Sequence, residues 1–133
     1  LSRSLFDLVI QVAKSLISNS NSLIYSIGQY TYRRAFELLT EKKFKQTIVI
    51  SLIEHATSSS STSRDNSLSV LVDFCNNINL VNSLAQFSQD LKSLINFIEY
   101  FNLNQIRNVY YVLCSVAYSS SSNLNIIFNF KNR

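Results

Sequence analysis

A chain with no proline and a single glycine, Gly28, has few means of reversing its direction sharply. Sheet proteins take their tight turns from residues that reach positive φ or hold φ fixed, and glycine and proline supply these most cheaply. Their near absence predicts helices joined by polar loops, with serine and asparagine as the loop residues. Hydrophobic residues make up 47% of the 133, so a core can form. A chain of this size buries roughly two-thirds of its unfolded surface, enough to fold alone without much margin. The sequence contains no methionine, hence no initiator, and reads as one all-α unit, residues 1–133, of a larger protein.

Apolar spacing places the helices. Leu5, Leu8, Val9, Val12 and Leu16 repeat at i, i+3, i+4 and i+7 and predict a first helix buried on that face. After a polar break at 18–22, a second helix is expected to about residue 39. A third would be capped by Thr40, whose hydroxyl can accept a free first-turn N–H, and would turn Phe44, Ile48, Leu52 and Ile53 inward. Residues 58–64 are nearly all hydroxylic and offer nothing apolar to offset their ordering entropy, so a flexible loop is expected there.

Asp65 or Asn66 would then cap a helix with Leu68, Leu71, Val72 and Cys75 inward. A short helix or turn follows near 80–87. Gln89 or Asp90 would open another, burying Leu91, Leu94, Ile95, Ile98 and Phe101. Asn102 or Asn104 would cap the last clear helix, with Ile106, Val109, Tyr110, Leu113, Val116 and Ala117 inward. A second soft loop is expected at 119–123, before an apolar run at 124–130. Stacked antiparallel helices, as in an armadillo- or HEAT-like α-solenoid, are the simplest packing of such a string. A compact orthogonal bundle is the alternative.

Catalytic signatures are missing. His55 is the sole histidine and sits at a helix end, where the macrodipole favours it. One glycine cannot build a phosphate loop. The acidic residues are dispersed, and Glu37 and Glu41 stand at a spacing suited to ion pairing along a helix. Cys75 and Cys114 lie in apolar runs and are expected to pack as small hydrophobes, which fits a reducing compartment. No apolar run approaches the roughly 20 residues of a membrane span. The reading is a binding scaffold without enzymatic activity, cofactor, metal or small-molecule substrate.

Much of the net charge of +4 comes from one stretch, where Arg33, Arg34, Lys42, Lys43 and Lys45 stand against only Glu37 and Glu41. Lysine and arginine bind phosphates through sequence-independent electrostatics, so this corner is the candidate contact for DNA or an acidic partner. A solvated basic corner without a partner is the bland reading. Tyr25, Tyr30 and Tyr32 could stack on bases, and Tyr110 and Tyr111 could line a groove, but tyrosines in helical arrays more often fill the core with the hydroxyl at its edge.

The run Asn104-Gln105-Ile106-Arg107-Asn108-Val109-Tyr110-Tyr111-Val112-Leu113, leading into Cys114-Ser115-Val116-Ala117-Tyr118-Ser119, resembles the Fanconi anaemia group D2 family in the helical region ahead of its ubiquitin-acceptor lysine. Ile24-Tyr25-Ser26, Ala35-Phe36-Glu37-Leu38-Leu39, Ile53-Glu54-His55-Ala56 and Leu68-Ser69-Val70-Leu71-Val72-Asp73 resemble the same family in the same order. The likeness covers about 20–119, and Gln105, Ile106, Arg107, Tyr110 and Tyr111 carry its most distinctive part. It implies a large nuclear α-solenoid that pairs with the Fanconi group I protein. The pair would enclose double-stranded DNA and be locked there by monoubiquitination during interstrand crosslink repair. The acceptor would lie shortly beyond Arg133; the surroundings of Lys131 do not reproduce the family pattern, and it is not assigned that role. Two other readings stand beside this one: a generic armadillo- or HEAT-like adaptor for a peptide or transport cargo, and a helical nucleic-acid-binding module using the basic corner.

Overall fold

The computed structural model describes the backbone of residues 2–132 and the side chains of residues 2–121. Among the described residues there are helices and no strands. Most of the helices start where a short polar side chain can take up free N–H groups. α1 (Arg3–Ile17) begins after Ser2, whose Oγ accepts the Leu5 N–H at 3.1 Å. α2 (Ser22–Leu38) begins after Asn21, whose Oδ1 accepts from Leu23 and Ile24. α4 (Ser61–Cys75) follows Ser60, α5 (Ile78–Leu84) follows Asn77, and α7 (Leu103–Asn132) follows Asn102, each with a side-chain oxygen on a first-turn N–H. α3 (Lys42–Ala56) differs, because it starts after Glu41 with no side-chain cap bond. Thr40, expected to cap it, stands one residue too early, and the Glu41 carboxylate pairs with Lys43 instead.

Between α5 and α7 the chain tightens. A 3₁₀ turn, Ala85–Phe87, leads into α6 (Ser88–Lys92), and a longer 3₁₀ stretch, Ser93–Tyr100, continues from it. The helix expected to open at Gln89 or Asp90 therefore opens at Ser88. Leu91, Leu94 and Phe101 are buried as expected, whereas Ile95 is exposed and Ile98 half-buried. In a 3₁₀ helix the side chains recur every three residues, so the inward face turns away from the α-helical stripe.

α1 packs chiefly on α2, α3 on α4, and α4 on α7, with lesser contacts from α2 to α4 and from α1 to α3. The result is the stacked-helix architecture of an all-α solenoid segment. Its core is one cluster running from Phe6 to Val116. Phe36 stacks on Phe74 with ring centroids 4.9 Å apart and meets Phe87 edge-on at 6.4 Å. Phe6 and Phe44 pack at 4.6 Å across α1 and α3. Buried Tyr32 shares a 2.7 Å hydrogen bond with buried Ser51, which satisfies both hydroxyls.

Several expectations are corrected. The loop over 58–64 is confined to the turn around 57–60, because Ser61, Thr62, Ser63 and Arg64 belong to α4. Serine costs a helix only a few tenths of a kcal/mol more than better formers, and Ser63 and Ser67 lie buried where their small size admits a neighbouring helix. Asp65 and Asn66, expected as caps, reach across the fold: Asp65 accepts from Gln105, and Asn66 donates to the Ile17 and Asn19 carbonyls. The soft loop over 119–123 is backbone of the continuous α7. The side chains of the apolar run at 124–130 and of Lys131 lie outside the described residues.

Two stripes are also displaced. α1 buries Phe6, Ile10, Ala13 and Ile17, and leaves Leu5, Leu8 and Val12 exposed. α7 buries Gln105, Val109, Val112, Val116 and Ser119, and turns Tyr110 and Ala117 outward. Both helices carry two apolar sets at helical spacing, so periodicity alone could not choose between them.

Burial pushes the Cys75 thiol up to about 12 despite a hydrogen bond from Ser115, and the Tyr32 hydroxyl up to about 12 despite Ser51. Each group keeps its proton longer folded than unfolded, so its contribution to stability is complete below the unfolded value and is lost as pH rises toward the folded one. The chain should therefore lose stability between about pH 9 and 12, and Cys75→Ala should reduce that loss, as read by urea midpoints at successive pH values. Cys114, expected to be buried, is exposed. In the native chain iodoacetamide should label Cys114 well ahead of Cys75, and equal rates by mass spectrometry would contradict the burial of Cys75.

Candidate functional site

The basic corner joins the end of α2 to the start of α3, and most of its charges are engaged. Arg33 pairs with Glu37 one turn on, at 3.2 Å, and reaches Asp73 on α4 at 3.6 Å. Arg34 meets the same Glu37 at 3.4 Å. Lys45 is partly buried: its Nζ donates to Ser83 Oγ at 2.7 Å and lies 4.9 Å from the Phe36 ring centroid. Burial lowers its pKa from the ordinary lysine value. A guanidinium or ammonium held over an aromatic face keeps its charge while covering apolar surface, so Lys45 acts as a clasp between α3 and α5. Lys43 lies 5.2 Å from the Phe44 ring centroid and 3.5 Å from Glu41. Lys42 is exposed and makes no ion pair among the described residues.

The distinctive helix, α7, opens with a reciprocal cap. Asn102 Oδ1 accepts the Gln105 N–H at 2.9 Å, and Gln105 Oε1 accepts the Asn102 N–H at 2.9 Å. The Gln105 side chain is fully buried, and its Nε2 donates to Asp65 Oδ1 at 2.8 Å. One glutamine thus closes the helix start and ties α7 to α4. Asn102-x-x-Gln105 is the capping-box spacing, so the cap was legible in the sequence, whereas Asp65, forty residues away, carried no local signal.

Of the other residues in that signature, Ile106 is half-buried, and Arg107, Tyr110 and Tyr111 face outward. Tyr111 donates to Asn76 Oδ1 at the end of α4. Asp65, Ser69, Asn102, Asn104, Arg107 and Asn108 line a polar cleft between α4 and α7. Tyr25 meets Ser69 near that line, and burial, with the charge of Asp73 adding to it, raises its hydroxyl pKa. The cleft and the basic corner are joined through α4: Asp73 holds Arg33 on one side, and Asp65 holds Gln105 on the other.

Among the described residues, no three or more His, Cys, Asp or Glu side chains gather where they could hold a metal ion. No described helix is long and apolar enough to cross a membrane. His55 Nδ1 lies 3.2 Å from the Ser51 carbonyl at the last turn of α3.

The sequence matches a family model described as Fanconi anaemia protein FancD2 nuclease over residues 1–127. It is 26% identical over 117 residues to the Fanconi anemia group D2 protein of Gallus gallus. That alignment covers 88% of this chain and 8% of the relative, so the chain spans a small part of the relative's length. No solved structure matches it.

Proposed function

The chain belongs to the FancD2 family, and from that membership we propose that it is a non-enzymatic scaffold segment of a nuclear DNA-repair protein. In this reading the parent acts in interstrand crosslink repair, paired with the Fanconi group I protein as a clamp on double-stranded DNA, and ubiquitin is attached outside this segment. The observation that carries the scaffold role is how the polar side chains are used. Gln105 ties α7 to α4, Asn66 ties α4 to the end of α1, Arg33 ties α2 to α4, and Lys45 ties α3 to α5. These four side chains hold helices in register. The family description includes the word nuclease; two-metal phosphodiester cleavage needs clustered ligands, and this reading assigns no cleavage to the segment.

The test is in the parent protein. Phe36→Asp puts a charge in the packed core and should collapse this segment. Cells relying on that parent should become sensitive to an interstrand crosslinking agent, and co-precipitation of the Fanconi group I protein should fall. Unchanged survival and unchanged co-precipitation would overturn the scaffold role.

Within this reading, Lys42 and Lys43 are the members of the basic corner placed to meet DNA phosphate. They open α3, whose first turn holds no acid, and both are exposed. Arg33, Arg34 and Lys45 serve there as supports. For a chain that binds duplex DNA, Lys42→Glu with Lys43→Glu should lower affinity and flatten the log–log salt slope by roughly 2. An unchanged slope in fluorescence anisotropy titrations would remove these two lysines from any DNA contact.

A further inference from the structure

The turn between α3 and α4 uses all of its hydroxyls but one. Thr57 Oγ1 donates to the Ile53 carbonyl at 2.9 Å, Ser58 Oγ donates to the His55 carbonyl at 3.0 Å, and Ser60 Oγ accepts the Ser63 N–H at 3.2 Å. Ser59 is exposed, and its hydroxyl makes no hydrogen bond among the described residues. Arg64, in the first turn of α4, curls back over this turn: its Nη1 donates to the Ser58 carbonyl at 2.9 Å, one peptide bond from Ser59. The residue is half-buried, yet it pairs with no carboxylate among the described residues, and its buried Nε has no acceptor there. Asp65, the next residue, gives its carboxylate to Gln105 instead. A guanidinium keeps its charge, so one that is partly desolvated without an anion carries a solvation cost. Beside it opens a cleft of about 330 Å³, lined by Ser59 and Arg64 and, from the stretch after α6, by Phe97, Tyr100 and Phe101.

We propose that Ser59 is a phosphorylation site and that Arg64 holds the phosphate. A serine kinase transfers the γ-phosphoryl group of ATP to Ser59 Oγ: the Oγ–P bond forms as the bond to ADP breaks, and the hydroxyl proton leaves to water. The product carries about −1.5 to −2 charges and strong acceptor oxygens. The cleft gives the group room beside the guanidinium, and arginine and phosphate pair through parallel charge-assisted hydrogen bonds. The group also stands just ahead of a 15-residue helix whose first turn holds no acid, so the helix dipole adds to its stability. Ser59 is singled out because its hydroxyl is free and exposed. Modifying Thr57, Ser58 or Ser60 would break a bond that closes α3 or opens α4. With the phosphate in place, the turn is tied to α4 by charge as well as by the Ser58 carbonyl. The inference rests on this geometry and on neither the family nor the repair role.

Phosphopeptide mapping of the full-length parent, isolated from its own cells under phosphatase inhibitors, should find phosphate on Ser59 ahead of Ser58 and Ser60. Equal occupancy of the three, or no phosphate in the turn, would overturn the proposal. The parent carrying phosphoserine at position 59 is then treated with alkaline phosphatase, and the loss of phosphate is followed by mass spectrometry. Contact with Arg64 should slow that loss by roughly tenfold or more relative to Arg64→Gln. Arg64→Lys keeps the charge without the planar fork and should fall between the two. Equal rates in all three proteins would overturn the role of Arg64. A lysine variant as fast as the glutamine variant would overturn it as well, because the packing of the turn and not the charge would then be what protects the group. Shielding of Arg64 from phenylglyoxal by inorganic phosphate, with Ser59 unmodified in cells, would overturn the proposal in favour of a site for free phosphate.

Discussion

Phe36→Ala should remove about 3–5 kcal/mol of folding stability, the range for truncating a buried aromatic ring. Phe36 is fully buried and meets Phe74, Phe87 and the Lys45 ammonium, so it joins α2, α3, α4 and the turn after α5 at one point. Loss of the ring leaves a cavity and also strips Lys45 of the surface it lies on. Small domains hold about 5–15 kcal/mol in total, so the variant should sit near the edge of folding. The urea midpoint followed by circular dichroism measures this. A shift worth less than about 1 kcal/mol would mean that the core closes over the gap.

Gly28→Ala is the second large effect, and there two terms oppose each other. Alanine inside a helix is worth about 1 kcal/mol over glycine. At Gly28, however, a Cβ would stand 2.7 Å from Ile17 Cγ2, 2.9 Å from the Ile17 backbone nitrogen and 2.9 Å from Leu16 Cβ. A methyl side chain could rotate away, but the backbone nitrogen cannot. Overpacking of this kind costs about 1–3 kcal/mol, so the variant should be less stable than the parent chain, and Gly28→Val less stable still. Thermal melts of the two variants would decide it. A stabilised Gly28→Ala would mean that α1 and α2 lie farther apart than described.

The sole glycine is therefore not a hinge or a turn. No residue of the described backbone has positive φ, and Gly28 lies in the middle of α2, where two helix backbones come close. The inference from missing glycine and proline to an all-helical chain was sound because it concerned what turns require. The inner faces were harder to read. α3 turned its expected Phe44, Ile48 and Leu52 inward, with Val49 and Ala56 buried beside them. α1 has apolar residues on two sides, and only the approach of α2 and α3 selects Phe6, Ile10, Ala13 and Ile17.

The candidate site follows the same division. Asn102 and Gln105 are three residues apart and could be read as a pair, whereas Gln105 with Asp65, and Arg33 with Asp73, meet through tertiary packing. The serine-rich stretches misled for a different reason. Serine's own preference is weak, so Ser60 as a cap and Ser63 and Ser67 as small contact residues draw the stretch into α4.

Asn66 gives both its amide hydrogens to carbonyls at the far end of α1, those of Ile17 and Asn19, at 2.7 and 3.0 Å. Those carbonyls sit where a helix ordinarily frays into water. Held from α4, they can be released only if the second helix pair shifts as well. Amide hydrogens in the last turn of α1 should thus exchange in step with those of α4, and the boundary between the two pairs is not a line of weakness. A pull on the first helix would be passed to α4 before either let go, so the segment transmits load as a rod does and not as beads on a string.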